Sequence, residues 1–246
     1  MSGGGLGVAS RGEASQHIVG CVQPTYLPWL PFFERMEASQ TFIYLDDVQY
    51  SKNSYMNRNA IKTSQGRQLL TVPVLYKGHS KVLINEIEID NHTDWAKKHW
   101  RSMEQNYSKA EYWKRYRDEL ETLIRTPRVR LIDLVLPLIE FLKTEFAITT
   151  PCNLSSSVKI EQRHNEKLIA LCRHFGGSHF IVKPGTEDYH PVEVFTAGGV
   201  SLAYLEYSQP RYDHLHGEFV PGLSALDYLL NMGPGPLPFV PKVTFP

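Results

Sequence analysis

The chain has 246 residues, 42% of them hydrophobic, with 26 Lys plus Arg balanced by 26 Asp plus Glu. That length supports one substantial core in a domain of about 200–250 residues, and the absence of a basic excess argues against a duplex nucleic-acid binder, which must neutralise phosphates. Three cysteines without regular spacing, Cys21, Cys152 and Cys172, argue against a disulfide framework or a CxxC zinc site.

Residues 1–15 are small and polar and read as a flexible tail without the apolar stretch of a secretory signal. No apolar run approaches the roughly 18 residues of a membrane span, so a cytoplasmic location with no membrane partner is expected. The apolar run 17–22 reads as a first buried strand. Pro24 and Pro28 break the chain, and Leu30, Phe33 and Met36 predict a helix over 29–38. Residues 41–45 form a second strand ending at Asp46-Asp47, and strand, helix, strand opens a parallel βαβ unit. Residues 50–59 read as a loop. Runs 59–63 and 68–74 flank Ser64-Gln65-Gly66-Arg67 as a hairpin.

An imperfect alternation predicts a strand over 82–89. Three helices follow: 92–107, capped by Asn91 or Thr93, then 109–125, then 128–146 with a kink at Pro137. Trp95, Trp100, Tyr107 and Trp113 recur at helical spacing and read as core. Then come a strand at 147–151, a polar turn at Ser155-Ser156-Ser157, a helix over 161–175 closed by Gly176-Gly177, and a strand at 179–182. A loop at 183–189, a short helix at 191–197, a strand at 199–207 and a Ser224-capped helix to 231 complete the body. Residues 234–246 carry five prolines and read as an extended tail or strap whose Phe239 and Phe245 can dock. The expected fold is α/β, an open and mostly parallel sheet with an inserted helical subregion at about 92–146, in a single domain over 16–233.

Ligands of open α/β sheets bind beyond the carboxyl ends of parallel strands. Three polar segments stand there: 23–29, 46–62 and 183–189. Asp46 and Asp47 are adjacent acids, and alternation turns one away from the other. Each is a candidate general base or Mg²⁺ ligand; the plainer reading is a turn cap. Asn57, Arg58, Asn59 and Lys62 put a guanidinium, two amides and an ammonium within six residues, a set suited to an anionic handle, or else a solvated hairpin paired to the acids. Gln23 and Tyr26 precede a helix. No GxGxxG or GxxxxGK[ST] occurs. Cys21 is a conceivable nucleophile, though a small buried core residue is the plainer reading. His214 and His216 form an HxH pair, a weak metal signal that reads better as surface loop.

The runs QPTYLPWLPFF, FIYLDDVQYSKNSYMNRNAIK and LTVPV, the helix DWAKKHW, then NYSKAEYW, ITTPCNLSSS and FVPGLSALDYLLNMG resemble the WbqC-like family over about 17–233. Val22 stands where many members carry His or Met, and the later loop, here KPGTEDY, keeps Tyr189 with fewer glycines. Members occur among genes for O-antigen and related surface sugars and for secondary metabolites. The resemblance therefore implies a biosynthetic role on an activated small molecule. It points by motif to Gln23, Asp46, Asp47, Lys52, Asn57, Arg58, Asn59 and Lys62, with His99 and Tyr189 in support and Lys183 in the same loop. The favoured expectation is an acyl- or aminoacyl-type transferase with an acidic base and an Asn/Arg/Lys anion cluster. The alternatives are a lyase, cyclase or hydrolase on a carrier- or nucleotide-linked intermediate, and a non-catalytic scaffold of a biosynthetic complex. The expected partner is a small molecule, with Mg²⁺ as the one cofactor considered.

Overall fold

The computed structural model describes residues 16–76, 81–207 and 209–245; the expected tail over 1–15 lies outside them. The first unit is β1 (Ile18–Val22), α1 (Leu30–Glu37) and β2 (Thr41–Tyr44). Both strands are continuous apolar runs, as a parallel strand covered on two faces requires. A Cβ on Gly20 of β1 would sit 2.4 Å from Ser39 Oγ and 3.0 Å from the Phe42 ring, so a larger residue there would have to displace both side chains.

A hairpin follows, β3 (Arg58–Thr63) against β4 (Gly66–Thr71), turning over Ser64-Gln65 into Gly66 at φ +97°. The helical layer is α2 (Trp95–Tyr107), α3 (Trp113–Arg125) and α4 (Leu131–Glu145). The chain returns through β5 (Cys152–Leu154), α5 (His164–His174), β6 (His179–Val182), α6 (Val192–Ala197) and β7 (Ser201–Glu206), then α7 (Ala225–Met232) and β8 (Lys242–Thr244).

The six-stranded sheet has the order β5-β2-β1-β6-β7-β8, all parallel except β8. Counting the parallel strands in chain order gives 3-2-1-4-5, the doubly wound arrangement, with its direction of growth reversing between β1 and β6. One face packs under α1, the hairpin, α2–α4 and α7, with Phe33, Phe42, Met103, Tyr107, Phe146 and Leu229 at its centre. The other face packs under α5 and α6 through Val19, Ile43, Leu171, Phe180 and Phe195. The four helical aromatics named above are buried, and Trp100 stacks on Trp113 with ring centres 5.3 Å apart. No helix among the described residues is long and apolar enough to cross a membrane.

Three expectations need correction. Residues 82–89 form no strand: Glu86 and Ile87 turn back to the Leu83 carbonyl, leaving isolated bridges from Leu83 to Gln49, from Glu88 to Arg130 and from Ile89 to Val74. The strand expected at 147–151 lies instead at Cys152–Leu154, because Ala147 takes a left-handed conformation (φ +55°) as the chain leaves α4. Helix α2 starts after Asp94 rather than near Asn91, whose amide bonds the Arg128 carbonyl while its carbonyl oxygen accepts from Trp95 Nε1. Helix α4 runs through Pro137 at the loss of one backbone donor. The proline-rich end lies along the body: Leu237 is buried, Phe239 packs on the main core, and β8 pairs antiparallel with β7.

Candidate functional site

The loops after β1, β2, β5 and β6 meet at the carboxyl edge of the sheet, beside the reversal between β1 and β6. Asp46 leaves β2 into this edge and is 1% exposed. Its Oδ1 accepts from Ser155 Oγ at 3.0 Å and from the Ser156 N–H at 2.9 Å. Its Oδ2 accepts from Ser156 Oγ at 2.6 Å and Asn85 Nδ2 at 3.3 Å. The Asp46 backbone adds two ties, its N–H to Ser155 Oγ and its carbonyl to the Asn85 N–H. A 3-10 turn over Ser155–Ser157 delivers these serine donors directly after β5. Asp46 is therefore a buried clasp binding the ends of β2 and β5 to the 85 turn.

Asp47 is the acid that keeps access to solvent. Lys167 Nζ, in the first turn of α5, meets its Oδ2 at 2.6 Å, with side chains 9% (Lys167) and 19% (Asp47) exposed. Ser155 Oγ contacts its Oδ1. That hydroxyl has one proton for two carboxylates, so it donates to Asp46 or to Asp47 and not to both. Gln23 stands half-buried at the tip of β1, with no hydrogen-bond partner for its amide among the described residues. Asn165, also in the first turn of α5, bonds the Tyr189 carbonyl at 2.9 Å and His190 Nδ1 at 3.1 Å, which seats the 183–190 loop against this edge. Lys183 and Tyr189 themselves are exposed, Tyr189 at 77%, and so is Lys52 in the loop beyond β2. Below the edge lies Cys21, packed with Val19, Ile43 and Cys172. Burial pushes its thiol up to about 12, so it is neutral at pH 7.

The Asn57–Lys62 stretch faces elsewhere. Asn57 Nδ2 bonds the Val72 carbonyl at 2.7 Å, Asn59 Nδ2 bonds the Leu27 carbonyl at 2.6 Å, and Arg58 bonds the Asn53 carbonyl. Lys62 is buried and donates to the Glu218 carbonyl at 2.6 Å. These side chains tie the hairpin to its neighbours, and their nearest polar partners are backbone carbonyls rather than Asp46 or Asp47. The surface-loop reading of His214 is corrected: its side chain is 1% exposed and contacts Asp227 at 3.2 Å. His216 remains exposed.

Tyr26 and His99 form a separate buried pair, Tyr26 Oη to His99 Nδ1 at 3.0 Å, beside Trp95. Burial lowers the His99 pKa to about 4 despite a backbone hydrogen bond with Thr71. Its unfolded value is about 6.5, so the fold favours the neutral ring. The corresponding stability is fully present above that unfolded value and is lost as pH falls through the folded one. The linkage predicts a loss of about 2 kcal/mol between pH 7 and pH 4.5 from this residue. Urea unfolding of wild type and His99→Gln at both pH values measures it; an equal pH dependence in the two proteins contradicts the assignment.

Ser155, Ser156 and Lys167 escaped the sequence reading as site residues. The three serines were legible as a polar turn after a strand, which is the position that builds such sites. Lys167 carries no local mark. A hard cation at this edge would have to displace Lys167 from Asp47, because the Asp46 oxygens already receive four donors.

The family model described as WbqC-like protein family matches residues 23–237 of this chain. The chain belongs to the WbqC-like protein family. A relative of this WbqC-like chain, the "Uncharacterized protein Rv1507c" of Mycobacterium tuberculosis (strain ATCC 25618 / H37Rv), is 35% identical over 217 residues, covering 87% of this chain and 94% of the relative. No solved structure matches it. Every residue of the carboxyl-edge cluster, from Gln23 to Lys167, falls inside the family match.

Proposed function

We propose that this WbqC-like protein is a biosynthetic enzyme that transfers an acyl- or aminoacyl-type group between activated small molecules at the carboxyl edge of its sheet. The observation that carries the reading is the Asp47–Lys167 contact at 2.6 Å, reached by solvent through Asp47 and placed at the same sheet edge as Gln23, which follows β1. An exposed pair on a surface helix needs no such setting. Here a carboxylate from the loop after the second strand and an ammonium from the fifth helix are drawn together where doubly wound folds hold ligands. In the transfer, the acceptor amine or hydroxyl attacks the donor carbonyl and gives its proton to Asp47. Lys167 and the Gln23 amide stabilise the oxyanion that forms, and the leaving group departs with the proton as the carbonyl closes again. A hydrolase or cyclase on the same pair would use the same acid with water or an internal nucleophile as acceptor, and a lyase would use it to abstract the proton lost in elimination. The family's occurrence among genes for surface sugars and secondary metabolites supports an activated biosynthetic intermediate as substrate.

A thermal-shift screen tests this with sugar nucleotides, nucleotides, aminoacyl donors and phosphopantetheine thioesters, each with and without Mg²⁺. A ligand at about 100 times its Kd stabilises the fold by about 2.7 kcal/mol, a shift of several degrees. We expect one donor class to shift wild type, Lys167→Met to lose the shift, and Asp47→Asn to keep it while losing turnover by about 10²-fold or more. A shift retained in both variants with unchanged turnover removes the site from this edge. Binding without turnover in wild type favours a scaffold.

A further inference from the structure

We propose that the groove between the β3–β4 hairpin and α2 is a second binding site, one that takes a diphosphate-bearing small molecule. It goes beyond the carboxyl-edge reading and does not rest on it, since none of its lining residues belongs to the Asp47 cluster. The groove has a volume of about 680 Å³, within the range of roughly 300–1,000 Å³ that small-molecule sites occupy.

Its chemistry is one-sided. Arg67 enters from the hairpin and Lys98 and Arg101 from the helix, and no carboxylate is among the lining residues. None of these three cations forms an ion pair with a described carboxylate. In a chain of zero net charge this is a local, uncompensated excess. The helix contributes Lys98, Arg101, Ser102 and Gln105, spaced i, i+3, i+4 and i+7 and therefore on one face. One hydrogen bond spans the walls: Ser102 Oγ donates to Gln68 Oε1 at 2.8 Å, which leaves the Gln68 amide N–H donors outside that bond. Among the described residues Arg67 has a single long hydrogen-bond contact, 3.4 Å to the Tyr55 hydroxyl, so most of its five N–H donors remain for a ligand.

Three cations on opposite walls exceed what one carboxylate neutralises. Two guanidinium forks match phosphoryl oxygens in a bidentate way, and the ammonium adds a point charge. Two linked phosphoryl groups place charge at both walls at once, while the serine and glutamine donors remain for an attached organic group. The shared chemistry is the diphosphate. It arrives either as a free nucleotide or as part of a larger activated carrier.

Isothermal titration with inorganic pyrophosphate, ADP and orthophosphate at low salt tests the assignment. The expected result is saturable 1:1 binding of pyrophosphate at least tenfold tighter than orthophosphate. Arg67→Gln, Lys98→Gln and Arg101→Gln should each weaken it, the two arginine changes at least tenfold, with unaltered melting temperatures because all three side chains are on the surface. Asp47→Asn should bind pyrophosphate as wild type does. ADP binding tighter than pyrophosphate identifies a free nucleotide; equal affinity identifies the diphosphate alone as the recognised group. Absence of saturable pyrophosphate and ADP binding to wild type, binding indifferent to all three glutamine variants, or loss of binding in Asp47→Asn overturns the proposal.

Discussion

Replacing Asp227 by Ala should destabilise the fold by about 3–5 kcal/mol, the range for removing one partner of a buried charged network. Asp227 is in the first turn of α7 and has no exposed surface. Its Oδ1 accepts from Tyr107 Oη at 2.7 Å; its Oδ2 accepts from Tyr212 Oη at 2.8 Å and meets His214 Nδ1 at 3.2 Å. The network extends outward, because Tyr107 Oη accepts from the Lys62 N–H, and both Lys62 Nζ and His214 Nε2 reach the Glu218 carbonyl. Burial raises the Tyr107 and Tyr212 pKa values, with the adjacent Asp227 carboxylate adding to it, so both phenols stay protonated as donors. Alanine leaves two phenols and an imidazole without their acceptor and removes a favourable charge at the start of α7. Urea unfolding at pH 7 measures the change. A loss below about 1 kcal/mol would mean that water or Glu218 re-pairs these donors, which the network's role in holding the 212–219 segment does not allow.

The second large effect separates the two adjacent acids. Asp46→Ala should cost about 2–3 kcal/mol, since it removes the buried acceptor of the Ser156 N–H and hydroxyl and of the Asn85 amide; water reaches the exposed Ser156 and offsets part of the loss, and the Ser155 hydroxyl turns to Asp47. Asp47→Asn should cost about 1–2 kcal/mol, because Lys167 keeps an amide oxygen as acceptor and some contact with solvent. Their effects on turnover should be ordered the other way once the loss of folded protein is corrected for. If Asp47→Asn proves the more destabilising change and Asp46→Asn the more damaging to turnover, the roles of clasp and reactive acid are exchanged.

Local pattern carried much of this fold. The apolar runs of β1, β2 and β6 and the 3.6-residue spacing along α2–α5 are properties of short windows, because a strand or helix buries its face by repeating the same residue type at its own period. The serine cap of α7 is equally local: Ser224 Oγ accepts from the Leu226 N–H at 3.1 Å. Placement of Asp46 and Asp47 at the end of an apolar strand was enough to put them at the carboxyl edge of the sheet, since parallel strands of such sheets all end there.

What the sequence could not decide is which side chains meet. The clasp joins Asp46 to serines about 110 positions away, and the ion pair joins Asp47 to Lys167 over 120. Both contacts exist because the sheet orders β5 beside β2 and returns α5 across β1 and β2. For the same reason the Asn57–Lys62 stretch, close to the acids along the chain, turns away from them: β3 pairs with β4 in a separate sheet, and its amides are drawn to the carbonyls of Val72 and Leu27. Composition and periodicity determined the elements and the sheet edge at which the two acids stand. The strand order, a tertiary property set by packing on both faces of the sheet, chose the partners of each acid, and with them which acid is locked in the clasp and which keeps access to solvent.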